Sequence, residues 1–202
     1  MKVITTVVGS LQTNCYLLID EKTNQAAVVD PGFLNDALLN EIKKYTVQRI
    51  LLTHGHFDHI WEADRLHEML GVPVCAYETE AAFAADDKQN GSLLMMYESI
   101  TCKVHEAFKD GETFQIGEVP VTVLHTPGHT AGGVSYITPD AVFTGDTLMG
   151  YSVGRCDLPT GNSAELRESL KKLAALPRNP DICGGHGPVT TLEDEKRRNP
   201  YL

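Results

Sequence analysis

The stretch His54-Gly55-His56-Phe57-Asp58-His59 directly follows an apolar run, Val47–Thr53, that predicts a buried strand. It places three imidazoles and one carboxylate within six residues. His54 and His56 are separated by one residue, so in an extended segment their side chains point the same way. Imidazole nitrogen and carboxylate oxygen are ligands that zinc, iron and manganese accept. The stretch therefore predicts a metal site at the carboxyl end of a strand.

Three later segments repeat this layout, with one polar residue placed after a predicted strand and beside glycine. They are TPGHT around His129, TGDT around Asp146 and GGHG around His186. Glycine lets the backbone turn sharply and approach a bound group closely. A single histidine or aspartate in a turn is more often a cap or a solvated residue. The repetition of one layout favours a shared site.

The remaining pattern predicts a mixed α/β protein with two groups of strands. Apolar residues at helical spacing predict helices over Asp36–Tyr45 and His59–Leu70. A third predicted helix runs to about Leu176, capped by Asn162 with Glu165 as its capping-box partner. The apolar segment Leu93–Tyr97 is expected in the core, with a mobile lip over the pocket or a dimer contact as alternatives.

Composition excludes several classes of protein. The 202 residues include 17 Lys and Arg against 27 Asp and Glu, giving a net charge of −10. This charge argues against a nucleic-acid partner and against an anionic membrane surface. The first twenty residues lack the apolar core of a secretion signal, so we expect a cytoplasmic protein. The five cysteines are scattered without a C-x-x-C pair, which predicts reduced, mostly buried thiols.

Taken in order, the four segments resemble the metallo-β-lactamase superfamily, and the resemblance spans Asp30 to His186. The run Thr144–Leu148 followed by Val153-Gly154-Arg155 is similar to the glyoxalase II branch. The resemblance implies an α/β fold, a four-layer αββα sandwich with a two-metal site at one edge of its sheets. It also implies one domain over residues 1–202, without the C-terminal helical domain that completes a glutathione site.

The resemblance further implies a role for each candidate site residue. Seven side chains would bind two divalent metals, three on the first, three on the second and one bridging both: His54, His56 and His129; Asp58, His59 and His186; and Asp146. Asp58 would also handle a proton of the attacking water. Asp30 would support the site without binding metal. Arg155 would hold a substrate carboxylate, and its alternative is an ordinary surface arginine.

Such a site is suited to hydrolysis of small 2-hydroxyacyl thioesters, such as lactoyl–thiol conjugates, by metal-bound hydroxide. Zn²⁺ is the first expectation for both metals, with Fe or Mn as alternatives. The expected partner is a small-molecule thioester. The acyl group, the thiol carrier and the oligomeric state stay open. A β-lactamase of the common zinc class resembles this pattern less, because a cysteine there replaces the bridging aspartate.

Other readings of the same residues remain. One is a persulfide dioxygenase with a single iron held by two histidines and one aspartate. Another is a hydrolase of a different ester or of a lactone. A third is a non-catalytic or electron-transfer relative with the same fold. The complete second set, Asp58, His59 and His186, favours the hydrolase.

Overall fold

The computed structural model describes residues 1–202, and its strands form two six-stranded sheets. The first sheet runs in chain order: β1 (Lys2–Val8), β2 (Thr13–Asp20), β3 (Gln25–Val29), β4 (Thr46–Leu51), β5 (Val74–Tyr77) and β6 (Glu106–Phe108). The second has the order β12-β11-β10-β9-β8-β7: β7 (Thr113–Ile116), β8 (Val119–His125), β9 (Val134–Ile137), β10 (Ala141–Gly145), β11 (Asp181–Gly184) and β12 (Thr190–Thr191). In the first sheet β3 to β6 are parallel, and in the second only β10 and β11 are.

Seven helices accompany the sheets: α1 (Asp36–Ile42), α2 (Phe57–Ile60), α3 (Ala63–Leu70), α4 (Glu80–Ala84), α5 (Ser92–Met95), α6 (Ser163–Ala174) and α7 (Leu192–Arg198). The longest has 12 residues. None combines the length and the apolar character that crossing a membrane requires.

Three apolar clusters separate four layers of secondary structure. The first packs the first sheet against α1 and α3, and the third packs the second sheet against α6 and α7. The middle cluster lies between the sheets. Strand β2 shows why: Leu17 and Ile19 face the helices, whereas Tyr16 and Leu18 face the other sheet. The predicted αββα sandwich is confirmed.

Two helix predictions need correction. The predicted helix over His59–Leu70 is two helices, α2 and α3. The helix is interrupted between them, where the backbone N–H of Glu62 donates to the carbonyl of Pro31, 3.1 Å away, instead of to a helical carbonyl. In α6, Asn162 caps as predicted, accepting from the N–H groups of Ala164 and Glu165. The backbone N–H of Asn162 donates to the carbonyl of Gly128, so it does not make the predicted reciprocal hydrogen bond to the Glu165 carboxylate.

The expectation that Leu93–Tyr97 packs in the core is wrong for most of the segment, although the half-buried Met96 packs against the first apolar cluster. Leu94 is 64% exposed and Tyr97 is 90% exposed. Met95, at the end of α5, lines the cavity over the candidate site. The segment therefore borders that cavity.

Candidate metal centre

The candidate site lies at one edge of the sandwich, where strand ends from both sheets meet. Strands β3 and β4 are parallel neighbours in the first sheet, and β10 and β11 are parallel neighbours in the second. The carboxyl ends of parallel strands lie at the same edge. The loops after β3, β4, β8, β10 and β11 carry, in that order, Asp30, His54, His129, Asp146 and His186.

Strand β10 comes close to the loop after β4 at Gly145. Its φ of +48° is a left-handed conformation, and a Cβ there would lie 2.3 Å from Thr53 Oγ1. Only glycine fits this contact. The contact brings Asp146, on the second sheet, beside His54, on the first.

Three groups of side chains could each hold a metal, and two of them share no residue; the third is Asp30, His54 and His59. His54, His56 and His129 offer ligand atoms that lie within 4.8 Å of one another. A second group, with the same limit, consists of Asp58, His59 and His186. These are the two sets that the sequence resemblance implies.

Asp146 lies between the two sets. Its Oδ2 is 3.5 Å from His129 Nε2, and its Oδ1 is 3.5 Å from His59 Nε2. His186 Nε2 is 3.6 Å from Oδ2. One carboxylate thus faces both sets, which is the geometry that a bridging ligand requires.

Four of the imidazoles are oriented through their Nδ1 atoms. His54 Nδ1 lies 3.1 Å from Thr53 Oγ1, and His59 Nδ1 lies 2.9 Å from Asp30 Oδ2. His129 Nδ1 lies 2.7 Å from the Arg155 carbonyl, and His186 Nδ1 lies 3.1 Å from the Leu11 carbonyl. Their Nε2 atoms are left for the site, as in metal-binding histidines generally. His56 differs, since its Nδ1 lies 2.8 Å from His129 Nε2.

Several buried nitrogen and oxygen atoms at the site lack a hydrogen-bond partner, as expected of metal ligands. The Nε2 atoms of His54, His56 and His59 and the Oδ1 atom of Asp146 are buried without a hydrogen-bond partner. Buried polar atoms in proteins are nearly always satisfied, because an unmet one costs about 1–3 kcal/mol. Divalent cations held by these nitrogen and oxygen donors would satisfy the atoms that converge on the site.

Asp30 is placed to support the site. Its Oδ1 accepts from the N–H of Thr53, and its Oδ2 accepts from the Thr53 hydroxyl and faces His59 Nδ1. Both oxygens are therefore engaged by protein groups. This carboxylate fixes the loop before His54 and the ring of His59.

The two ligand sets differ in protonation. Burial, reinforced by the neighbouring imidazoles, lowers the pKa of His54 well below its usual range. Burial and His129 lower the pKa of His56 to about 3. Burial also opposes the charged form of His59, but Asp58, Asp146 and Asp30 outweigh it and raise its pKa to about 10. Binding a cation at the second set would therefore displace a proton.

Glu80 ties two of the metal loops together, and the sequence patterns did not reveal it. It is 2% exposed, and its Oε1 accepts from the backbone N–H of Gly55 at 2.9 Å. A Cβ at Gly132 would lie 2.2 Å from its Oε2, so the carboxylate also packs against the loop after His129. Its only sequence signal is an acidic residue opening a short helix.

Thr13 and Asn14, at the start of β2, are two further supports that the sequence patterns missed. The Thr13 hydroxyl donates to Asp58 Oδ2 at 2.8 Å. The Asn14 amide donates to the carbonyls of Gly184 and Gly187, on either side of His186. Both hold ligands of the second set in place.

Arg155 borders the cavity, but a neighbour already engages its guanidinium. Nε donates to Asp157 Oδ1 at 2.6 Å and Nη2 donates to Oδ2 at 2.8 Å. Arg155 lowers the pKa of Asp157 to about 2, so this carboxylate stays ionised. A substrate carboxylate would have to compete with Asp157.

The family model of the metallo-beta-lactamase superfamily matches residues 8–186. The chain therefore belongs to the metallo-β-lactamase superfamily, and it is a metal-dependent hydrolase of that superfamily. Among curated relatives, it is 37% identical to the probable metallo-hydrolase YqgX of Bacillus subtilis, covering 96% of this chain and 94% of YqgX. It is 32% identical to the hydroxyacylglutathione hydrolase GloC of Haemophilus influenzae, covering 96% and 95%.

Solved structures show the same architecture. BLEG-1 B3 metallo-beta-lactamase is 34% identical, with a TM-score of 0.93 over 100% of this chain and 99% of that one. TTHA1623, solved in a di-iron-bound form, is 33% identical, with a TM-score of 0.84 over 98% of this chain and 100% of that one.

Proposed function

We propose that this protein is a binuclear hydrolase that cleaves small 2-hydroxyacyl thioesters such as lactoyl–thiol conjugates. The observation that carries the proposal is the position of Asp146 between two complete sets of three ligands. Two divalent ions, Zn²⁺ by first expectation, would polarise the thioester carbonyl and lower the pKa of a bound water. The di-iron form of TTHA1623 supports a two-metal site and keeps iron among the candidates.

Asp58 has a second role beside its place in the second ligand set. Although burial opposes its ionised form, His59, His186 and the Thr13 hydroxyl lower the pKa of Asp58 below its usual range. It stays ionised and can accept a hydrogen bond from the attacking water. The Thr13 hydroxyl donates to Oδ2, the same oxygen that faces His59 and His186. We assign Asp58 to orient the attacking water by accepting a hydrogen bond from it.

A thioester suits a site that offers no general acid beyond its ligands. A thiolate leaving group has a pKa near 8.5 and departs with little help from a proton donor. The cavity over the two ligand sets is lined by Leu11, Phe57, Met95 and Leu158 besides the ligands and Arg155. The relative named hydroxyacylglutathione hydrolase supports the same substrate class.

The test compares three reactions of one metal-reconstituted sample with its metal content measured. Thiol release from lactoyl-glutathione is followed without oxygen, oxygen uptake is followed with glutathione persulfide, and opening of a β-lactam is followed by absorbance. The proposal expects anaerobic thiol release with two metals per chain. Oxygen uptake with one iron per chain and no thiol release would make this a persulfide dioxygenase. β-Lactam opening alone would make this protein a β-lactamase, the activity for which BLEG-1 is named.

A further inference from the structure

A second cavity, of about 440 Å³, lies beside the metal cleft. It is formed by the turn between β1 and β2, the loop after β3, and α2 with the residue that follows it. Its apolar walls come from Val7, Leu11, Phe33, Phe57 and Trp61. Val7 is 58% exposed, Leu11 40% and Phe33 43%, so the cavity opens to solvent. We call it the apolar groove.

The apolar groove adjoins the metal cleft. The two cavities share Leu11, Phe57 and Asp58 as lining residues. The metal cleft has only about 140 Å³. Small-molecule sites in proteins usually measure roughly 300–1,000 Å³, so the cleft holds the reacting carbonyl and a few atoms around it. The rest of a substrate has to extend beyond the cleft.

The two sides of the cleft differ in charge. Arg155 lies beside His129, whose Nδ1 faces the Arg155 carbonyl, at the first ligand set. The apolar groove opens beside Asp58, at the second ligand set, and no lysine, arginine or histidine lines it. An anionic thiol carrier can pair with a cation only on the Arg155 side, where it competes with Asp157, whereas on the groove side it meets Asp58 and no cation. The groove suits an uncharged chain.

We propose that the apolar groove binds the acyl chain of the substrate, so that the enzyme prefers thioesters whose acyl group is apolar and longer than lactoyl. This rests on the proposed thioester hydrolysis. The two halves of a thioester leave its carbonyl in different directions, and the charged half belongs at Arg155. The acyl half then extends past Asp58, between Leu11 and Phe57, toward Phe33 and Trp61.

The first experiment measures kcat/KM for one thiol, glutathione, carrying acetyl, butanoyl, hexanoyl and octanoyl groups. Each methylene of the acyl chain that is buried in the groove should raise kcat/KM by about 4-fold. Phe33→Asp places a charge in the groove and should abolish this gain with chain length. Met69→Asp is the matched control, because Met69 is similarly exposed, at 47%, and lies outside both cavities.

The second experiment reads binding without catalysis. Trp61 is the one tryptophan of the chain and lines the groove, so its fluorescence reports groove occupancy. Octanoate should shift the Trp61 emission of the metal-loaded protein, whereas acetate at the same concentration should not. Phe33→Asp should remove the octanoate response and Met69→Asp should retain it.

The outcomes separate the two proposals. Hydrolysis of lactoyl-glutathione with no gain along the acyl series and a silent Trp61 would overturn the groove as an acyl site and leave thioester hydrolysis standing. A Trp61 response to octanoate with no thioester cleaved would overturn the proposed function and support an apolar ligand in the groove. A steady fall in kcat/KM with chain length, equal in wild type and Phe33→Asp, would also contradict the groove proposal.

Discussion

Both oxygens of the Asp157 carboxylate accept hydrogen bonds from the guanidinium of Arg155, at 2.6 and 2.8 Å. The pair is exposed, with side-chain accessibilities of 55% for Arg155 and 67% for Asp157. Exposed ion pairs contribute little to stability. This pair affects the cleft in another way, because it occupies the two-pronged donor face that a substrate carboxylate would use.

Removing the competing carboxylate should strengthen binding of an anionic substrate. We expect Asp157→Asn to lower KM for lactoyl-glutathione by several-fold, because Arg155 is then free to pair with the substrate. Arg155→Ala should raise KM by about 10-fold, and Arg155→Lys should restore only part of the loss. Steady-state kinetics with metal content held equal provide the measurement.

A neutral thioester, such as lactoyl-N-acetylcysteamine, is the control for this pair. Its kinetics should be the same in wild type, Asp157→Asn and Arg155→Ala. If both substrates respond alike, Arg155 acts through the loop that carries it, whose carbonyl faces His129 Nδ1, and the carboxylate role is wrong.

A further prediction concerns metal stoichiometry. Asp146 faces His59 on one side and His129 on the other, so its loss should separate the two ligand sets. We expect wild type to hold two metals per chain after dialysis, roughly 3.5–4 Å apart, and Asp146→Ala to retain one or none. Elemental analysis measures this directly. Asp140→Ala, at an exposed aspartate away from the site, should behave as wild type. Two tightly held metals and full activity in Asp146→Ala would rule out a bridging role.

Glu80 should affect the affinity of the first ligand set for its metal, although it does not belong to that set. Glu80→Gln weakens the contact between the loop of His54 and His56 and the loop of His129. We expect about a 10- to 100-fold loss of metal affinity at that set, as for other residues that orient metal ligands, with the Asp58 set less affected. Competition with a chromophoric chelator would resolve the two affinities.

Glu195→Gln is the matched control for Glu80→Gln. Glu195 is 0% exposed and accepts hydrogen bonds from the Tyr151 N–H, the Thr190 hydroxyl and the Asn199 amide, away from both ligand sets. It should lower the thermal midpoint without changing either metal affinity. Equal loss of metal affinity in both variants would mean that Glu80 acts through global stability alone.

The sequence marks His54, His129, Asp146 and His186 as candidate ligands because each follows a strand and lies beside a glycine. Gly145 illustrates this, since its left-handed φ and its close contact with Thr53 both require glycine at that position. Local sequence did not mark Glu80, Thr13 or Asn14 as residues of the site, because the fold brings them there from other elements. The break at Glu62 was hidden for the same reason, as its partner Pro31 is 31 residues away. Asp157 lies two residues after Arg155 in the sequence, but their pairing depends on side-chain conformations that residue spacing does not predict.

The last prediction concerns the five cysteines, all of which are free thiols. Cys15, Cys75, Cys102 and Cys183 are buried, and burial raises the pKa of Cys75 and Cys183 to about 12. Cys156 is partly accessible, but burial and Asp157 raise its pKa as well.

Since the thiolate is the reactive form, a maleimide should label the native protein slowly and at one thiol per chain. The labelling rate should rise about 10-fold per pH unit below the raised pKa of Cys156. Unfolding should expose all five, and Cys156→Ser should abolish the native reaction. Intact-mass measurement counts the labels, and two or more fast labels in the native protein would show that the buried set opens readily.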